Sequence, residues 1–175
     1  MKKIFFLLAV VSPLFLASCG GNKTSEETAD TMAVDNSLPE VSAPEAVSDT
    51  VVSNTVELTG DDLMKFNRTE IRVKAGEQVT LSLKNIGKLP KEAMSHNFVL
   101  LKLGTDTEQF ALKAAVSQAS DYIPADMKTS ILSHTKLLGP GESDTITFTV
   151  PAGEYEFICS FPGHWGTMRG KVIAL

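Results

Sequence analysis

Cysteine is scarce in this sequence, and several other signals are missing with it. Two cysteines among 175 residues are too few for a disulfide framework or for a zinc or iron–sulfur site built from cysteine alone. No C-x-x-C-H motif is present, which argues against covalently attached haem. The sequence has no run of 18 apolar residues that would predict a membrane-spanning helix. The excess of 21 acidic over 16 basic residues argues against a nucleic-acid-binding protein.

What is present begins with a targeting segment. Lys2 and Lys3 precede a short apolar stretch, residues 4–16, which is typical of a secretory signal. The stretch ends in Leu16-Ala17-Ser18-Cys19, which resembles a bacterial lipobox. This resemblance implies a signal peptide over residues 1–18 and a lipidated Cys19. The alternative is a simple signal peptide with an incidental cysteine.

A lipidated Cys19 would place the protein on a membrane, since several acyl chains give stable anchoring. Gly20 is not typical of an inner-membrane retention signal. We therefore expect a lipoprotein of the outer membrane, with the periplasmic face and the cell surface both open.

A polar segment separates Cys19 from the apolar part of the chain. Residues 20–55 hold seven acidic residues, one basic residue and no aromatic residue. Such a composition cannot bury enough surface to offset its ordering entropy. We therefore predict a disordered acidic tether over residues 19–55. The remaining residues, 56–175, hold 13 basic and 14 acidic residues and are almost neutral.

Residues 56–175 have the pattern of an all-β domain. Short apolar or alternating segments, separated by turn residues, predict seven strands: 56–58, 71–73, 79–83, 98–103, 146–150, 155–159 and 171–175. This number and spacing favour a Greek-key β-sandwich or barrel. A capping-box-like segment at Thr105–Glu108, followed by helix-compatible residues, predicts a helical insertion around residues 106–120.

One segment combines three metal-ligand side chains. Cys159 is followed by His164 and Met168, and His96 lies upstream, just before a predicted strand. A set of two imidazoles, one thiolate and a weak thioether ligand is the pattern of blue-copper sites. A zinc site and an inert buried thiol are the alternatives.

The domain resembles the azurins, bacterial members of the cupredoxin family. The resemblance extends over about residues 54–175, and the segments that carry it are Phe66-Asn67, Leu89-Pro90-Lys91, Met94–Leu100, His134–Gly139 and Cys159–Met168. It implies one type 1 copper ion held by His96, Cys159 and His164, with Met168 as a weak axial ligand. The backbone carbonyl of Ser95 would be a second axial contact.

The resemblance also implies roles for residues around the copper. Asn97 would bridge the two ligand loops. The backbone N–H groups of Asn97 and Phe161 would point at the thiolate sulfur, which raises a reduction potential by withdrawing charge.

Four features depart from common azurin patterns or fall outside the ligand set. Asn54 and Gly76 stand where azurins often have a disulfide. Phe98 stands where many have a core tryptophan, and Asn85 where many have a histidine near the copper. The third histidine, His134, is expected on the surface without a ligand role.

These residues predict a blue copper electron carrier rather than an enzyme, because the protein itself fills every side-chain ligand position. The expected partners are redox proteins such as c-type cytochromes or periplasmic reductases and oxidases, with no nucleic acid. The alternatives are a copper-binding module that buffers the metal and a structural surface domain that retains the site.

Electrons are expected to leave near His164, through an apolar docking patch. The predicted members of this patch are Met64, Leu89, Ala93, Met94, Phe161, Pro162, Gly163 and a partly exposed Trp165. The competing hypothesis is that Trp165 folds inward to replace the missing core tryptophan.

Overall fold

The computed structural model describes residues 51–175. The predicted signal peptide, Cys19 and nearly all of the predicted tether lie outside these residues. Within residues 51–175, none of the helices meets the length and hydropathy that a membrane span requires.

Within residues 51–175, eight strands form two sheets. The strands are β1 Thr55–Gly60, β2 Glu70–Val73, β3 Val79–Asn85, β4 Val99–Leu101, β5 Ile131–His134, β6 Ser143–Phe148, β7 Gly153–Ile158 and β8 Arg169–Ala174. One sheet has the order β1-β3-β6 and the other the order β2-β8-β7-β4-β5. The pairs β1–β3 and β2–β8 are parallel, and the other strand pairs are antiparallel.

Short helices connect some of the strands. The α-helices are α1 Lys91–Met94 and α2 Thr107–Ala115, and two 3₁₀ helices span Gln118–Ser120 and Ala125–Ser130. The helix α2 begins at an N-cap aspartate, Asp106, whose side chain accepts a hydrogen bond from the Gln109 backbone N–H (2.9 Å). This satisfies one of the free N–H groups at the helix start.

The main core lies between the sheets and follows from the alternation of the strands. In β3 the inward positions are Val79, Leu81 and Leu83, all fully buried. In β7 the inward side chains of Tyr155 and Phe157 belong to the same core cluster. Because strand side chains alternate between faces, this spacing also carries Cys159, directly after β7, into the core, where it is 0% exposed.

The strand β4 is buried on both faces. Leu100 packs into the main core, whereas Val99 and Leu101 belong to a second cluster beneath α2. The insertion therefore covers the outer face of the larger sheet, which explains why this strand is a continuous apolar run rather than an alternating one.

The predicted all-β sandwich with a helical insertion is confirmed, with differences in detail. The prediction missed β5, which has no fully buried residue and therefore a weak apolar signal. Phe98 is fully buried, and its ring lies 5.0 Å from that of Phe157. It is thus a core residue at the position predicted for it.

Asn54 ties the start of β1 to the turn that follows β2. Its side-chain oxygen accepts a hydrogen bond from the Lys74 backbone N–H (2.8 Å), and its side-chain nitrogen donates to Glu77 (3.2 Å). Val52 also forms a bridge with Arg72. Residues 52–54, which the sequence assigned to the tether, therefore contact the domain, and Thr55, the last tether residue, is the first residue of β1. The Asn54 side chain thus uses hydrogen bonds, rather than a disulfide, to join its own segment to the turn that contains Gly76.

We predict that Asn54→Ala lowers the free energy of unfolding by about 1–2 kcal/mol, because each of the two lost hydrogen bonds contributes about 1 kcal/mol. Urea unfolding of the described domain measures this change. Glu57→Ala is the matched control, since the Glu57 side chain is exposed on β1 and forms no hydrogen bond or ion pair within residues 51–175. Equal stabilities of the two variants would contradict the role of Asn54.

Candidate metal centre

Three metal-ligand side chains meet at one end of the sandwich. The ligand atoms of His96, Cys159 and His164 lie within 4.8 Å of one another, and all three residues are buried. Cys159 Sγ is 3.6 Å from His164 Nδ1. Met168 is fully buried in the same core cluster as Cys159. The structure therefore brings the four side chains predicted as ligands into one region.

The His96 ring is oriented by a backbone carbonyl. Its Nε2 lies 3.0 Å from the Asp61 carbonyl oxygen. A carbonyl can only accept, so Nε2 carries the proton and Nδ1 keeps a free lone pair. Nδ1 is buried and has no hydrogen-bond partner among residues 51–175. A buried polar atom of this kind requires an explanation, and a metal ion bound at Nδ1 provides one.

Backbone hydrogen bonds fix the segments that carry these side chains. His96 pairs with Leu138 through both its N–H (3.0 Å) and its C=O (2.8 Å). The Cys159 N–H donates to the Met168 carbonyl (2.8 Å), and the Met168 N–H donates to the His164 carbonyl (2.8 Å). The loop between Cys159 and Met168 is thus closed at its base by the two residues that delimit it.

Asn97 connects the His96 segment to the Cys159 loop. Its side-chain oxygen accepts from the Ser160 N–H (2.8 Å), and its side-chain nitrogen donates to the Ser160 hydroxyl (2.8 Å). Both residues are buried. The Asn97 side chain therefore joins the segment of His96 to the segment of Cys159.

The Cys159 sulfur lies in an apolar environment with two hydrogen-bond donors. Burial raises the pKa of the thiol to about 11, against the opposing effect of the Asn97 and Phe161 backbone N–H groups that bond to it. Without metal the sulfur is therefore a neutral thiol at pH 7. A bound cation would compensate the buried thiolate, and the two N–H groups would share its charge.

Both imidazoles are neutral at pH 7. Burial, followed by the nearby His96, lowers the pKa of His164 to about 4. Burial also lowers the pKa of His96, against the raising effect of its bond to Asp61. Neutral imidazole is the form that binds metal, so these two side chains need lose no proton to act as ligands.

The Ser95 carbonyl faces the same region. Its oxygen is 4.0 Å from Cys159 Sγ. Ser95 has φ −81° and ψ 153°, an extended conformation open to any residue. Serine therefore fits the position without backbone strain.

The sequence did not reveal that Gly60 is part of the site. A Cβ atom on Gly60 would lie 2.9 Å from His96 Cδ2 and 3.1 Å from Met168 Cε. Any side chain at this position would displace one of these residues. A glycine at the end of a strand is the only sequence signal of such an approach.

Asn85 is also part of the site. It is 1% exposed, and its side-chain nitrogen donates to the carbonyls of Met94 (3.2 Å) and Leu138 (3.1 Å). Its side-chain oxygen accepts from the Gly87 N–H (2.8 Å). The segment of His96 is therefore supported by the Asn85 amide, a group that does not gain or lose a proton as the pH changes.

The predicted docking patch is only partly a surface. Leu89, Ala93 and Gly163 are exposed, and Met64, Met94 and Pro162 are half-buried, whereas Phe161 is buried. Leu63, which was not predicted, is 70% exposed beside Met64.

Trp165 follows neither hypothesis completely. It is half-buried and packs against the second cluster beneath α2, with the Arg169 guanidinium 5.8 Å from its ring centroid. It does not replace the core tryptophan, because Phe98 fills the main core. His134 is exposed on β5.

The donor set fits copper. Imidazole and thiolate ligands with a nearby thioether are those that stabilise copper in both of its oxidation states. The free Nδ1 of His96 and the buried thiol give such an ion a defined place in the fold.

Comparisons with known proteins agree with this chemistry. The azurin-2 of Alcaligenes xylosoxydans xylosoxydans is 45% identical over 124 residues, covering 67% of this chain and 93% of the relative. The azurin of Bordetella pertussis is 44% identical over 125 residues, covering 67% and 81%.

Solved structures of blue copper proteins share the fold. Dithionite-reduced auracyanin from Roseiflexus castenholzii has a TM-score of 0.64 and 34% identity, covering 71% of this chain and 99% of that protein. Auracyanin A from Chloroflexus aurantiacus, a "blue" copper protein, has a TM-score of 0.61 and 33% identity, covering 69% and 98%.

The family of copper binding proteins called the plastocyanin/azurin family matches residues 52–174. Copper is therefore the cofactor, and the His–Cys–His cluster is consistent with one type 1 ion. The chain belongs to the plastocyanin/azurin family of copper-binding proteins.

Proposed function

We propose that this protein is a one-electron carrier between redox proteins. The observation that carries the proposal is the burial of the site: His96, Cys159 and Met168 are 0% exposed, and His164 is 3% exposed. A bound copper ion would supply a centre that alternates between Cu(I) and Cu(II). A substrate has no route to side chains buried to this extent, which supports an electron carrier over an enzyme.

We assign His96 Nδ1, Cys159 Sγ and His164 Nδ1 as the principal ligands. Met168 would be a weaker ligand, and the Ser95 carbonyl, 4.0 Å from Cys159 Sγ, would be a further contact. The hydrogen bonds described above hold these groups together before metal binds. Such a fixed site resists the change of geometry that each copper oxidation state would otherwise prefer, and this favours rapid electron transfer.

A membrane location for this carrier is supported by the lipobox-like segment that ends at Cys19. We propose that Cys19 bears the lipid and that the acidic segment up to about residue 50 connects it to the domain. The redox partners would then be membrane-associated or periplasmic proteins.

A copper-buffering module is the alternative function. It would bind copper in the same cluster but would not exchange electrons reversibly. Cyclic voltammetry of the copper-loaded protein separates the two, because an electron carrier gives a reversible one-electron wave.

We expect Cys159→Ser to lose the intense visible absorption band of the Cu(II) protein, because that band requires sulfur-to-copper charge transfer. Copper should also raise the melting temperature of the wild type but not of the variant. A ligand present at 100 times its Kd stabilises a protein by about 2.7 kcal/mol. Absorption spectra and thermal melts with and without Cu(II) measure both effects. An equally blue variant would show that Cys159 is not a ligand.

We expect Met168→Leu to keep the visible band and to raise the reduction potential. Loss of a weak donor disfavours Cu(II), and each tenfold loss of preference for Cu(II) raises the potential by about 59 mV. Leucine has a similar volume, so the fully buried position stays filled. Voltammetry is the measurement, and an unchanged potential would remove Met168 from the ligand set.

We expect Ala93→Glu to slow electron self-exchange and reduction by a partner several-fold, with an unchanged spectrum. The residue is exposed in the docking patch, where a charge must be desolvated in each encounter. The matched control is Thr147→Glu. Thr147 is exposed on β6 and pairs with Thr80, which lies near the start of β3, whereas Asn85 and the metal centre lie at the other end of that strand. Equal rates in the two variants would show that electrons leave through another surface.

A further inference from the structure

Three residues other than glycine adopt a left-handed backbone conformation within residues 51–175: Met64 (φ 55°), Asp121 (φ 51°) and Tyr122 (φ 60°). This region is unfavourable for residues with a side chain, and it persists where surrounding structure enforces it, often at functional sites. Two of the three are consecutive. The turn at Asp121 and Tyr122 lies far in sequence from every ligand proposed above.

Hydrogen bonds on both sides hold this turn in place. The N–H groups of Asp121 and Tyr122 donate to the carbonyls of Gln118 (3.1 Å) and Ser117 (3.0 Å). The Ser120 hydroxyl contacts the carbonyls of Ser117 (3.0 Å) and Ile123 (2.6 Å). The turn is therefore specified by its own backbone and by one serine.

The turn separates two neighbouring side chains. Tyr122 enters the main core, and Ile123 enters the second cluster beneath α2. The ring of Tyr122 meets that of Phe161 edge-on, with centroids 5.1 Å apart and planes at 71°. Aromatic pairs prefer this arrangement.

Phe161 passes this contact to the metal centre. Its ring centroid is 4.7 Å from that of His164, and its backbone N–H bonds to Cys159 Sγ. Phe161 thus lies between Tyr122 on one side and two of the assigned ligands on the other.

We propose that Tyr122 is a positioning residue of the copper site, and this proposal rests on the proposed function. Its ring holds Phe161 against His164 and keeps the Phe161 N–H directed at the sulfur. The left-handed turn is the device that places the ring there. The ring of Tyr122, rather than its hydroxyl, makes the positioning contact, because no hydrogen bond of the Tyr122 hydroxyl is found in the described part of the chain.

The test compares Tyr122→Leu with Tyr122→Phe in the copper-loaded protein. We expect Tyr122→Leu to lower the reduction potential and to slow electron self-exchange at unchanged copper content, because a weaker N–H bond leaves more charge on sulfur. Tyr122→Phe keeps the ring and should match the wild type in both measurements.

Tyr155→Leu is the matched control, because it removes the chain's other tyrosine. Tyr155 is 4% exposed, and its hydroxyl donates to the Pro151 carbonyl (2.9 Å), away from the ligand loop. It should lower the melting temperature and leave the reduction potential unchanged. If Tyr122→Leu behaves in the same way, Tyr122 is a packing residue only and the proposal is wrong.

A double-mutant cycle tests the route of the effect. If Tyr122 acts through Phe161, adding Tyr122→Leu to Phe161→Leu should shift the potential no further than Phe161→Leu alone. Additive shifts would overturn the assigned route.

Ser120→Ala tests the turn, because it removes the hydroxyl that bonds to two carbonyls of the turn. This variant should shift the reduction potential in the same direction as Tyr122→Leu, and an unchanged potential would show that the turn does not position Tyr122. Failure of the proposed function is distinct, since the wild type itself would then show no reversible wave.

Discussion

The double hydrogen bond between Asn97 and Ser160 is the interaction on which the site depends. His96 and Cys159 are 63 positions apart in the sequence, and their segments need a fixed separation for both side chains to face one ion. The Asn97 amide supplies that separation with one donor and one acceptor, both directed at Ser160. Because both residues are buried, loss of either partner would leave polar groups unsatisfied where water does not replace them.

The electrostatics of the site follow from the same burial. Desolvation keeps the thiol protonated and the imidazoles neutral, so the metal-free site carries no net charge inside the core. A metal ion would bring charge into this environment together with the thiolate that partly neutralises it. The cost of burying the thiolate would then be offset by the ion and by two backbone N–H groups, which is how a cluster of this kind can be buried.

Much of the architecture could be predicted from the sequence. Alternating residues identified the inward faces of β3 and β7, and the spacing of Cys159, His164 and Met168, taken together with His96, favoured copper over a zinc site or an inert thiol. The sequence could not show the contacts made by backbone atoms. The Asp61 carbonyl orients His96, and the absence of a side chain at Gly60 leaves room for His96 and Met168. Neither role depends on a side chain that a motif would reveal. The turn at Tyr122 was equally hidden, since its aromatic contact joins segments with no shared pattern.

Strand register, rather than loop sequence alone, locates the metal centre. The inward alternation of β3 passes through Leu83 and ends at Asn85, and the alternation of β7 leads through Phe157 to Cys159. Gly60 is the register partner of Asn85 across the β1–β3 pair, and Cys159 directly follows β7, so the ends of β1, β3 and β7 lie at the same end of the sandwich. A shift of one residue in the register of β3 or of β7 would turn Asn85 or Cys159 to the opposite face of its sheet. The apolar core residues that fix the register therefore also fix the position of the sulfur, and the loops add His164 and Met168 to a site whose location the sheets have already determined.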